Sequence, residues 1–390
     1  MPTLPLADIQ GFILRSYAMD SLRLFVLRVA DAAKARRALG ALPIMSAAVW
    51  VDKPDACVNM ALTFPGLVAL KLSDATLASF PDEFRAGAVE RAAIVGDTGD
   101  SDPAKWMPAF TSPDAHVLVT LYAKDQIVRE DWTVVLRAIW AGALTEVLVR
   151  DADMLPGKVA HFGYTDGFSQ PSIVGAPPNP IPDPLPPAPT GEFLLGYESQ
   201  FTDFQYPVPT PDRLGLNGSF MALRVLAQDC AAFDQLLKEA PAKLGIDGEL
   251  LAAKFVGRWR NGVPLELSPD TDSPNPAIPL DKLNDYDYTA DLRGNRCPIG
   301  SHMRRNFPRS SPIAGNGGLK HRIVRRGLPF GPPYDPANPN DGIERGLLGI
   351  FIVVSLKDQF EFLMKDWVNG SLFAAGLSGT KDPIDRKSVV

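Results

Sequence analysis

Five times along the chain an apolar, branched run gives way to a helical period. In residues 21–39, SLRLFVLRVADAAKARRAL, the change falls at Ala30-Asp31, and an Ala/Arg-rich helical pattern follows. Such a change of period predicts a strand and then a helix. Residues 57–70, CVNMALTFPGLVAL, predict a strand, a turn at Pro65-Gly66 and a short helix. Residues 116–140, 218–237 and 347–367 each predict strand then helix. In the last of these, Phe360, Leu363, Met364 and Trp367 stand at i, i+3, i+4 and i+7, one apolar helix face. Residues 80–106 are polar and rich in Gly, Asp and Pro, so they are expected to be mostly loop.

The second half echoes the first. Leu223-Arg224-Val225 repeats Leu27-Arg28-Val29, each ahead of an Ala-rich helix. Lys357-Asp358-Gln359 repeats Lys124-Asp125-Gln126 at the same strand-to-helix junction. Between the halves, residues 176–189 read APPNPIPDPLPPAP, eight prolines in fourteen. That stretch cannot build a sheet or a helix interior and is expected to be an extended connector. A surface loop inside one domain is the alternative. The expected fold is α+β: residues 1–175 and 191–390 form two related domains joined by residues 176–190. Each is an antiparallel sheet with helices on one face.

Composition narrows this modestly. A chain of 390 residues is long for one ordinary core. Apolar content of 46% and charge of 22% fit a globular protein. No run reaches the ~18 to 20 apolar residues of a spanning helix. The first residues, MPTLPLADIQGF, lack a basic stretch followed by an apolar core, so a cytoplasmic location is expected. Cys57, Cys230 and Cys297 are odd in number and lack CxxC spacing, against a disulfide framework or a zinc site.

Charge distribution changes the picture more. The net charge is −6, which disfavours general nucleic-acid binding. Yet residues 292–334 contain no Asp or Glu and nine Lys or Arg, with two of the four histidines, His302 and His321. A basic, turn-rich segment bearing histidine suits an anionic cofactor that needs an axial ligand. His302 lies in CPIGSHMRRNFPR. A neutral imidazole is a common ligand to haem iron, and Arg304, Arg305 and Arg309 are the candidates to neutralise its propionates. The alternative is a surface or capping histidine beside a solvated basic face. Cys297 reads as a small buried thiol rather than a thiolate ligand. Asp166 sits between Gly163 and Gly167 in HFGYTDGFSQPS. There it can act as a general acid/base or simply as an Asx-turn residue. Arg325 follows the branched pair Ile323-Val324. It can stabilise charge on a breaking O–O bond, or it can be a phosphate contact or an exposed basic residue.

Three motifs in order, HFGYTDGFSQP at 161–171, CPIGSHMRRN at 297–306 and HRIVRRGLPFG at 321–331, together resemble the dye-decolorising peroxidase family. The resemblance runs from LADIQGFIL to about Trp367. It implies two ferredoxin-like α+β domains of the dimeric α+β barrel type, with haem b held mainly by the second. It implies His302 as proximal iron ligand, Asp166 as distal proton carrier and Arg325 as distal charge stabiliser. The implied reaction is reduction of hydrogen peroxide with oxidation of an organic donor such as a dye or phenolic. No nucleic-acid or membrane partner is implied, and a homo-oligomer stays open. The expected proximal carboxylate is Glu361 or Asp366. Electrons would enter through surface Trp or Tyr, with Tyr334 and Trp259 as suggestions. Two departures stand out. Gly349 replaces a Phe usual in the family, which either enlarges the pocket or leaves Phe351 to take part of its place, and the chain stops soon after Asp382-Pro383. They keep alive a second class: a haem-binding or haem-delivery protein of the same fold with little turnover.

Overall fold

The computed structural model describes residues 4–309, 318–370, 373–374 and 376–384. Part of the basic segment, residues 310–317, and the terminal SVV lie outside them. Strands β1 (Ser21–Val29), β2 (Ala56–Leu62), β3 (Val117–Ala123) and β4 (Leu144–Asp153) form one sheet in the order β2-β3-β1-β4. All its pairings are antiparallel. The second sheet is built on a central strand. β5 (Phe220–Ala227) lies on one side of β8 (Gly346–Val353), and β6 (Val324–Arg325) and β7 (Leu328–Phe330) share the other. The two-sheet α+β architecture therefore matches the sequence reading.

The strand-to-helix junctions form where the period changes. Asp31 caps helix α1 (Ala32–Ala41), Thr63 caps α2 (Phe64–Ala69), and Asp125 caps α4 (Gln126–Trp140), each side chain accepting a backbone N–H of the first turn. Asp229 does the same for α5 (Cys230–Leu244), and Asp247 for α6 (Gly248–Val256). One expectation fails. Residues 80–106 contain helix α3 (Asp82–Arg91), broken at Gly87, whose φ is +76°. Only Phe84 and Val89 among its ten residues are large and apolar, too few to make an apolar stripe. Strands β4 and β7 carry no expected element, and β7 is too short to show a period; β6 begins in the branched pair Ile323-Val324. The C-terminal helical stretch, Leu356–Glu361 and Leu363–Val368, winds in wide π-type turns.

The alternation along β1 explains how the sheets stack. Leu22, Leu24 and Val26 point one way, and Phe25 and Leu27 the other. The first set packs against Leu348, Ile350 and Ile352 of β8, with Val324, Leu328 and Phe330, in one shared core. The second set packs against α1 and α4 through Ala35, Ala38, Leu136 and Trp140. Each sheet thus has one face on the other sheet and one on helices. The Pro-rich stretch runs between the two sheets in sequence, and its end is tied down. Ala188 is buried in the shared core and bridges to Ile173. Among the described residues no helix is long and apolar enough to cross a membrane.

Candidate haem site

The β6–β7 edge sets the site's distal side. Gly327 separates the two strands, and a Cβ there would lie 2.3 Å from the Leu348 carbonyl oxygen. Only glycine lets the chain pass this close to β8. Strand alternation then sends the neighbouring arginines to opposite faces. Arg326 turns into the inter-sheet core, where Nε donates to the Phe12 carbonyl at 2.6 Å; burial pushes its pKa down to about 10. Arg325 turns to the helix side, directly across from Phe351.

Arg325 meets Asp166 there. Nη1 donates to Asp166 Oδ2, and Nη2 faces Oδ1, both at 3.3 Å. Arg325 is held by its backbone N–H on Gln170 Oε1 (3.2 Å) and by Nη2 on the Ser169 carbonyl (3.2 Å). Gln170 also receives Arg326 Nη1, so one side chain steers both arginines. Asp166 stands on a turn whose glycines have φ of +84° and +99°, Gly163 and Gly167. Its Oδ1 accepts the Gly167 N–H at 2.7 Å, so the Asx-turn and catalytic readings describe the same carboxylate. The side chain is 63% exposed and paired with Arg325. Neighbouring charge therefore governs its acidity. The Arg325 guanidinium lowers its pKa, outweighing desolvation, with help from the Gly167 N–H and the charge of His302.

His302 opens the short helix α7 (His302–Asn306). Its Nδ1 lies 2.9 Å from Asp382 Oδ2. A carboxylate can only accept, so Nδ1 carries the proton and Nε2 is the unprotonated nitrogen of the neutral ring. Asp382 is fully buried, and Asn306 Nδ2 donates to the same oxygen at 2.9 Å. Its own N–H is fixed on the Val368 carbonyl at 2.8 Å.

This corrects the expected proximal carboxylate. Glu361 is spent on Arg91, whose Nε reaches it at 2.7 Å. Glu361 and Asp366 both line a surface cleft of about 620 Å³, together with His321. His321 is stacked on Phe362 at 3.7 Å and bonded to the Asp358 carbonyl. Asp382 lies 80 residues beyond His302, on a loop without periodicity, and only its Asp-Pro neighbourhood could have drawn notice.

The structure places the three propionate candidates, Arg304, Arg305 and Arg309, inside the protein. A helix turns ~100° per residue, so Arg304, two places on, leaves the face that His302 occupies, while Arg305, three places on, is drawn inward by the bonds it makes. Arg304 Nη1 donates to Asp291 Oδ2 (3.0 Å) and the Cys297 carbonyl (2.6 Å). Arg305 Nη1 donates to the Trp367 carbonyl (3.0 Å) and Nη2 to Thr380 Oγ1 (2.6 Å). Arg309 Nη1 donates to the Asn284 and Tyr286 carbonyls at 2.8 and 2.6 Å. All three are at most 1% exposed. They brace the segment from inside. Cys297 is buried, with its thiol pKa pushed up to about 11, so it stays a thiol at neutral pH.

Gly349 and Phe351 share the helix-side face of β8, and a Cβ on Gly349 would lie 2.9 Å from the Phe351 ring. The ring therefore covers the place beside the glycine. Trp259 is buried, with Nε1 on the Ser268 carbonyl, which disqualifies it as a surface donor site; Tyr334 is half-buried over Asp234.

The donor set fits a haem: one imidazole whose tautomer is fixed by a buried carboxylate, and a guanidinium–carboxylate pair. No family model matches the chain. Among curated proteins it is similar to a dye-decolorizing peroxidase of Mycena epipterygia, 30% identical over 96% of this chain and 73% of the relative. It is also 29% identical to dye-decolorizing peroxidase msp1 of Mycetinis scorodonius, over 98% of this chain and 76% of that one. Among solved structures, a dye-decolorizing peroxidase in complex with 2,6-dimethoxyphenol superposes with a TM-score of 0.85 at 27% identity, covering 98% of this chain and 89% of its own. The shared core, the order of the three motifs and these similarities agree: the chain belongs to the dye-decolorizing peroxidases.

Proposed function

We propose that this peroxidase holds haem b between His302 on one side and Asp166 with Arg325 on the other. On this reading it reduces hydrogen peroxide and oxidises organic donors such as phenolics and dyes. The observation that carries it is the Asp166–Arg325 pair together with a His302 ring whose Nδ1 is held by the buried Asp382. The haem, when bound, supplies the electron transfers that peroxide reduction and donor oxidation require.

The protein's part is position, protons and charge. Asp166, ionised under the influence of Arg325, takes a proton from one peroxide oxygen and returns it to the other. Arg325 stabilises the negative charge that grows on the departing oxygen. His302 binds iron through Nε2, and Asp382 enriches the ring by accepting its Nδ1 proton. Phe351, lying over Gly349, keeps the distal face apolar beside Arg325. Residues 1–175 supply Asp166 and residues 191–390 supply the rest, and we propose these two halves as the domains.

Two variants test the reading. His302→Ala should lose the Soret band. Asp166→Asn should keep it while peroxidase turnover falls about 10²- to 10⁴-fold. Full turnover in Asp166→Asn would remove Asp166 from the mechanism.

A further inference from the structure

The chain before α7 hangs on one carboxylate. Asp291 Oδ1 accepts the Asn295 N–H at 2.7 Å. Its Oδ2 accepts the Cys297 N–H and Arg304 Nη1, each at 3.0 Å, and its carbonyl accepts Arg304 Nη2 at 2.5 Å. Asp291 thereby joins loop 291–297 to a helix residue two places from His302. Beside it lies a second carboxyl, Glu266, which is 4% exposed. No hydrogen-bond donor reaches its Oε2.

The charges around Glu266 do not balance. Asp291 repels it, and Arg304 is already committed to Asp291. Arg296 approaches only to 3.7 Å and is 54% exposed, so water screens it. Cys297 is neutral. Two buried carboxylates would share one buried cation. A proton on Glu266 removes the conflict, because the acid can donate to Asp291 and use the orphan oxygen.

We propose that Glu266 and Asp291 act as positioning residues that share a proton and thereby lock loop 291–297 onto the helix of His302, the lock loosening when that proton leaves. Desolvation first, and then Asp291, raise the Glu266 pKa to about 7. The sign follows from a raised acid pKa. The locked form binds the proton more tightly than the open one, so the lock weakens as pH climbs from about 4.5 towards 7 and stays weakened above. The assignment is independent of the roles given to Asp166 and Arg325.

Hydrogen exchange of the holoenzyme, corrected for the intrinsic pH dependence, tests it. In the wild type, opening of peptides spanning 291–306 should rise about tenfold between pH 6 and 8.5. Glu266→Gln, whose neutral amide donates to Asp291 at every pH, should keep those peptides equally protected across the range. Infrared difference spectra provide a second readout in the wild type alone. A protonated-carboxyl band should disappear with a midpoint near 7, and it should be missing from Glu266→Gln. Opening with the same pH dependence in Glu266→Gln would overturn the proposal. So would a wild type with no carboxyl band titrating near neutrality, even if the variant failed to fold.

Discussion

At the scale of single residues, the strongest coupling in the site is between Arg325 and Asp166. Arg325 is the largest cause of the lowered Asp166 pKa. If Asp166 must be ionised to accept the peroxide proton, activity falls on the acid side as the carboxylate protonates. Removing Arg325 should raise that pKa and move the acid limb to higher pH. The measurement is the pH profile of peroxide reduction in Arg325→Leu against wild type; an unmoved limb would separate the two residues. A lowered Asp166 pKa also leaves the protein able to work in acid, where donor oxidation is expected to be best. On the proximal side, Asp382→Asn weakens the pull on the imidazole proton. It should raise the iron reduction potential and reduce haem affinity or turnover by about 10- to 100-fold. Glu361→Gln should leave the potential unchanged, because Glu361 serves Arg91.

At the scale of elements, α7 is too short to hold itself, at five residues. Its position comes from Arg304 and Arg305, whose donors end on Asp291, Trp367 and Thr380. Arg304→Ala leaves Asp291 buried without its cation, a change that costs about 3–5 kcal/mol. Urea denaturation should show that loss in the midpoint. The β6–β7 edge is as demanding. Gly327→Ala would press a methyl group into the Leu348 carbonyl and disturb the strand that carries Arg325. Both sides of the site thus depend on tight backbone geometry more than on side-chain bulk.

At the scale of the whole molecule, the two sheets share one core. Leu24 of β1 and Ile350 of β8 are both fully buried within it. Leu24→Ala should cost about 2–5 kcal/mol, like other buried large-to-small changes. Because the core belongs to both halves, unfolding should be one transition by tryptophan fluorescence and by far-ultraviolet dichroism. Two separated transitions would show halves that stand alone. The same stacking unites the site, since Asp166 precedes the second sheet and Arg325 and His302 belong to the second half.

Much of this was legible in the chain itself. The period changes at Asp31, Asp125 and Asp229 marked the main strand–helix units, because a capping carboxylate and an apolar run are local signals. The glycines around Asp166 and the doubled arginine at 325–326 likewise marked positions where the local backbone matters. The sequence by itself therefore determined the two-sheet α+β plan, the family and the candidates His302, Asp166 and Arg325. Tertiary structure decided what each charge is for. Which arginine is buried against a carbonyl and which faces the site depends on helix rotation and strand alternation in three dimensions. Hence Arg304, Arg305 and Arg309 became braces while Arg325 remained at the site. Partners brought together by packing have no periodicity to betray them, which is why Asp382 behind His302, and Glu266 beside Asp291, emerged only once the chain was folded.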